Sequence, residues 1–111
     1  PQPLSSWSRE NWFPLVKTIR PEAFSEAALN PGRSAAQRVR AIEIITELLG
    51  GVPDSLIEPL LQDRSERVRA RLAWSLAYPG PSMQKAKWLN QLLQDDSPLV
   101  ARFALETLLQ L

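Results

Sequence analysis

From residue 34 onward, apolar positions recur at helical spacing and are interrupted by short polar or Gly/Pro segments. Val39, Ile42, Ile45 and Leu49 fall on one side of a 3.6-residue period. Ser34 with Gln37 three residues on reads as a capping box that opens this helix, and Gly50-Gly51 closes it. After Val52-Pro53, Asp54 is placed to cap a short helix ending near Gln62, with Pro59 inside it as a source of distortion. Ser65 opens the next helix, which stops at Tyr78-Pro79-Gly80-Pro81, and another covers roughly Ser82 to Gln94. Ser97-Pro98 supplies a favoured N-cap and N1 pair for the last helix. Nowhere does an alternating apolar run lie between turns, so no strand is expected.

The chain repeats itself. Leu60-Leu61-Gln62-Asp63-Arg64-Ser65-Glu66-Arg67-Val68 returns 32 residues later as Leu92-Leu93-Gln94-Asp95-Asp96-Ser97-Pro98-Leu99-Val100. Leu, Leu, Gln, Asp, Ser and Val coincide, and Leu76 then matches Leu108. Upstream, Arg38-Val39-Arg40-Ala41 matches Arg67-Val68-Arg69-Ala70 at a spacing of 29, which puts Ser34 in the place of Asp63. Such spacings belong to helix-pair repeats. The units expected are 34–62, 63–94 and a truncated 95–111.

Residues 1–33 do not fit the repeat and read as divergent N-terminal capping helices. Asn11 is placed to cap one helix through Trp12, Phe13, Val16 and Ile19, and Pro21-Glu22 to start a second through Phe24, Ala27 and Leu29. Trp7 and Trp12 are the large apolar plugs of this pair, and Trp7 is the tryptophan most expected at a contact surface. At the other end, Leu105, Leu108, Leu109 and Leu111 crowd the last turns with no polar segment after them. With the missing initiator Met, this is the pattern expected of a piece of a larger multidomain protein.

The stretch Asp63-Arg64-Ser65-Glu66-Arg67-Val68-Arg69 resembles the HEAT-repeat signature, which has Asp at the turn and Val-Arg early in the second helix. The last unit keeps Asp95 and Val100 but has Ala101 at the Arg position. The resemblance spans residues 34–111. It implies an all-α fold, a HEAT-like α-solenoid of about three stacked antiparallel helix pairs with no β-sheet. It further implies a protein–protein interaction scaffold or a rigid spacer, whose partner is another protein or a neighbouring domain of the same chain. Two other contexts are compatible with such an array: a nucleic-acid-binding HEAT-like domain with an Arg-rich helix face, and a connecting segment in an exported bacterial protein of dehydrogenase/cytochrome type.

Composition narrows the chemistry. A chain with 44% hydrophobic and 23% charged residues can bury a core, so disorder is not expected for most of it. The absence of Cys and His removes thiolate nucleophiles, zinc–cysteine sites, the commonest general base and the commonest metal ligand. No catalytic, cofactor-binding or metal-binding residue is therefore assigned, no cofactor is expected, and an enzyme is not expected. No apolar run is long enough to span a bilayer, so membrane insertion is not expected. A net charge of +1 provides no strong field toward nucleic acid, which disfavours that reading. The cations are mainly arginine, ten against three lysines, which favours fixed hydrogen-bonded roles over a solvated coat.

A helical wheel for residues 66–78 puts Val68, Leu72, Leu76, Ala73, Ala77, Ala70 and Trp74 on one wide apolar arc, with Arg69 inside it. A charge there needs a partner, and the resemblance makes Asp63 the structural partner of Arg69. On the opposite face, Arg64, Arg67 and Arg71 with Tyr78 form a candidate interaction surface, joined by Trp7. In the last unit the positions of Arg67 and Arg71 hold Leu99 and Phe103, so this face is expected to pack against something. Glu43, Glu47 and Arg40 read as an ordinary solvated cluster, and Asp95-Asp96 as helix-start charge favoured by the dipole.

Overall fold

A computed structural model describes residues 20–111, and these residues are all-helical. Among them lie α1 (Pro21–Leu29), α2 (Ala35–Leu48), α3 (Asp54–Leu61), α4 (Glu66–Ser75), α5 (Met83–Leu93) and α6 (Pro98–Gln110), with no strand. The helix expected at Asn11, together with Trp7 and Trp12, falls outside the described residues.

Side-chain caps start four of the helices. The Ser34 hydroxyl accepts from the Gln37 N–H while the Gln37 side chain accepts from the Ser34 N–H, the reciprocal pair expected of a capping box. Ser65, Ser82 and Ser97 accept in the same way from the N–H groups of Val68, Lys85 and Val100. At α3 the expected cap is corrected: Pro53 is the N-cap, and Asp54 is the first helical residue. Its carboxylate sits in the first turn, where the helix dipole favours it. Pro59 is accommodated within α3, which ends two residues later. Helix α4 ends at Ser75 rather than running to Tyr78, because the N–H groups of Ala77 and Tyr78 bond the carbonyls three residues back and tighten the chain into a turn.

Packing centres on α4, which contacts α2, α3, α5 and α6; α1 packs on α2 and α3, and α5 on α6. Ile42, Ile57, Leu72, Leu89 and Val100 are fully buried in one contiguous core. Each such side chain contributes about 1.5–3 kcal/mol by leaving water. Val68 and Val100, the expected repeat equivalents, are both buried, and each lies three residues after its capping serine. Trp88 packs its ring in the core and donates its indole N–H to Glu58, tying α5 to α3.

Two turns also meet. Gly50 and Gly51 adopt φ of +91° and +112°, conformations that glycine accepts without a Cβ clash. A Cβ on Gly51 would lie 3.2 Å from Pro79 Cδ and 3.3 Å from the Tyr78 carbonyl oxygen. The α2–α3 turn therefore rests on the α4–α5 turn at a point where even a Cβ would have to push its neighbours aside by a few tenths of an ångström. Lys85 fixes that second turn by donating to the carbonyls of Tyr78 and Gly80, each at 2.7 Å. Burial pushes its ammonium below the usual lysine value against the opposing charge of Asp54. No helix among the described residues is long and apolar enough to cross a membrane.

Candidate functional site

The turns before α4 and α6 are built alike. In each, an aspartate accepts from the N–H of the serine two residues on, Asp63 from Ser65 and Asp95 from Ser97, both at 2.9 Å. The serine then caps its helix, and the fourth residue after it points back over the turn. That residue is Arg38 after Ser34, Arg69 after Ser65 and Ala101 after Ser97.

Arg38 grips the Asp63 carboxylate with both terminal nitrogens and donates Nε–H to the Ala28 carbonyl at 3.0 Å. Arg69 repeats the arrangement one unit on. Its Nε and Nη2 donate to Asp95 at 2.8 and 3.1 Å, and Nη1 donates to the Asp63 carbonyl at 2.6 Å. Each arginine thus takes a backbone carbonyl from just before its own helix, Ala28 near the end of α1 or Asp63 in the turn before α4, and a carboxylate from the turn that opens the next helix but one. The Arg69 and Asp95 side chains are only 17% and 13% exposed, so these forked, charge-assisted bonds are well shielded from water. Burial pushes the Asp95 carboxyl up, but the bonds from Arg69 and the Ser97 N–H, with the arginine's charge, outweigh it and hold the group below its usual value. The same bond raises Arg69.

Three sequence expectations are corrected here. Asp63 meets Arg69 through its backbone carbonyl, while the carboxylate that pairs with Arg69 belongs to Asp95. The reason is register. The capping serines set spacings of 31 and then 32 residues, so Arg38, not Arg40, is the counterpart of Arg69. The upstream match at 29 is a coincidence of letters. Ser34 is a cap, and Gly32 stands where the next unit has Asp63. Asp95, read from sequence as dipole charge alone, is the second carboxylate of the series.

The outward side of α4 carries a second cluster. Arg71 is 14% exposed, not solvated: its Nε lies 3.5 Å from a Glu43 oxygen, and its guanidinium sits 4.9 Å from the Trp74 ring and 5.9 Å from the Phe103 ring. The Trp74 and Tyr78 rings follow at 5.5 Å, tilted by 56°. Arg71 therefore joins α2, α4 and α6 through a carboxylate and two rings. Trp74, read from sequence as core, is half-buried in this row, while Tyr78 is exposed. Glu43 is fully buried, against the expectation of a solvated cluster, and neither of its oxygens accepts a hydrogen bond. Burial raises its carboxyl above the usual value, with Arg71 and then Arg40 pulling it back.

The candidate surface residues are thus only partly brought together. Arg67 and Arg71 line one hollow of about 110 Å³ between α2, α4 and α6, with Val39, Ala70, Leu99 and Phe103 as its walls. Arg64 stands in the turn rather than on the helix and lines a separate recess beside Arg33, Arg38 and Ser65. Trp7 lies outside the described residues. Among the described arginines, only Arg64 and Arg67 have no carboxylate within ion-pair distance. Of the leucines crowding the last turns, Leu105, Leu109 and Leu111 are exposed and Leu108 is half-buried. No group of three or more His, Cys, Asp or Glu among the described residues could hold a metal ion.

Comparison with protein-family models, with curated proteins and with solved structures gave no match to this chain.

Proposed function

We propose that this chain is a HEAT-like α-solenoid module, a stack of helix pairs that serves as a protein-interaction scaffold and rigid spacer. The observation that carries the reading is the Arg–Asp link repeated between successive turns, Arg38 to Asp63 and Arg69 to Asp95. A link that recurs at the repeat spacing locks each unit to the next, which is what a scaffold or spacer needs to hold a fixed shape. The alternating contacts support the same reading, since α2, α4 and α6 follow one another while α1, α3 and α5 each pack on the helix that comes next.

The α4 face is the surface a partner would use. Arg67, Arg71, Trp74 and Tyr78 lie along it, and tryptophan, tyrosine and arginine are the types that dominate protein interfaces. A phosphate-binding stripe is less well supported, because Arg64 lies in another recess from Arg67 and Arg71, so the three arginines do not form one row.

Site-specific photocrosslinking tests the proposal. A photoreactive residue at Tyr78, compared with one at Lys87 on α5, is introduced into the intact protein in extract of its source cells. Protein adducts confined to the Tyr78 position are expected. Adducts equally abundant from Lys87, or nucleic acid as the main adduct, would overturn the reading.

A further inference from the structure

We infer that the hollow between α2, α4 and α6 receives an acidic side chain of a protein partner, its carboxylate held between the guanidiniums of Arg67 and Arg71. This rests on the interaction-module reading above and names the chemistry of the partner.

Size is the first argument. At about 110 Å³ the hollow is well below the roughly 300–1,000 Å³ typical of small-molecule sites, and suits one side chain. The lining is the second. Val39, Ala70, Leu99 and Phe103 offer apolar contact, and the only charged groups on the wall are Arg67 and Arg71. A carboxylate on a short methylene stem matches both parts, whereas a bare inorganic anion leaves the apolar walls unused.

Charge balance is the third argument. Arg67, exposed at the mouth of the hollow, has no carboxylate within ion-pair distance among the described residues. The mouth of the hollow therefore carries one cation with no carboxylate beside it. Preorganisation is the fourth. Arg71 is already held by Glu43, Trp74 and Phe103, so little side-chain freedom is lost when a carboxylate arrives. Arg67, one turn earlier on the same helix, supplies the second donor.

The experiment titrates the protein with a blocked peptide of alternating leucine and glutamate, following the arginine Nε–H resonances by NMR and the heat by calorimetry. The glutamine counterpart of the peptide, inorganic phosphate and a short DNA duplex are run beside it. The glutamate peptide is expected to shift the Arg67 and Arg71 signals, and its affinity to fall about tenfold or more in Arg67→Gln, the loss of one charge-assisted bond. Arg67 is exposed, so the melting temperature of that variant should stay unchanged. Leu99→Glu, which fills the hollow with the chain's own carboxylate, should abolish binding.

The inference is overturned by equal binding of the glutamine peptide, by full affinity in Arg67→Gln, or by tighter and steeply salt-dependent binding of the duplex. It is also overturned if the glutamate peptide does not bind. If the peptide fails while Tyr78 still crosslinks to protein, only the acidic partner is lost. If both fail, the interaction-module reading goes with it.

Discussion

Arg69 on α4 and Asp95 in the turn before α6 lie 26 residues apart in sequence and are joined by two parallel N–H···O bonds. The same arginine holds the Asp63 carbonyl on its other side, so one guanidinium spans the turns before α4 and before α6. Such a residue links the placement of α4 to that of the turn before α6, and its electrostatics can be tested through pH.

The Asp95 carboxyl is held below 3.8 in the folded chain, so its contribution to stability is complete above that value and is lost as pH falls through the lower folded value. Urea unfolding measured between pH 5 and pH 2 should show this loss. In Asp95→Asn the acid limb should be shallower, and stability at neutral pH should fall by about 1.5–3 kcal/mol as a charged hydrogen-bond acceptor is removed. An acid limb identical to that of the parent chain would show that Asp95 does not carry it.

Glu43 carries the opposite sign. Its folded value is raised above 4.5, so its contribution is fully present below 4.5 and lost as pH rises through the folded value. In Glu43→Gln that decline on the neutral side should vanish, leaving a flatter profile. The check is stability against pH from 4 to 8, and an unchanged slope would contradict the burial assigned to this carboxylate.

The two turns that meet at Gly51 predict a ranked pair of variants. Gly50→Ala forces an L-residue to φ +91° with open space around it, for a cost of about 1–2 kcal/mol. Gly51→Ala bears a comparable backbone cost at φ +112° and adds a Cβ pressed against Pro79 and the Tyr78 carbonyl. Thermal melts should therefore place Gly51→Ala clearly below Gly50→Ala. Equal melting temperatures would mean that the turns do not rest on each other.

How far the sequence leads depends on whether the decisive partner is local. The serine caps at 34, 65 and 97 and the apolar spacing were legible because caps and helix faces are set within a few residues. The need of Arg69 for a partner was legible too, but its identity was not. Asp63 is near in sequence, whereas Asp95 is brought close only when the next turn packs. Aligning on the capping serines, rather than on the letters Arg-Val-Arg-Ala, would have paired Arg38 with Arg69 and exposed the series. Glu43 and Arg71 escaped for a related reason. A wheel treats one helix at a time, and each looks solvated until α2 and α4 lie side by side.

Double-mutant cycles on the two links test the central claim, that Arg38 on α2 is bound to the aspartate before α4 and Arg69 on α4 to the aspartate before α6. The cycles pair Arg38→Ala with Asp63→Ala, and Arg69→Ala with Asp95→Ala, with unfolding free energies measured in urea. Each should give a coupling of about 1.5–3 kcal/mol. The cross pair Arg69 and Asp63, whose contact runs through the backbone carbonyl, should give a clearly smaller coupling, left to the aspartate's charge alone. Strong coupling in the cross pair and none between Arg69 and Asp95 would contradict the account.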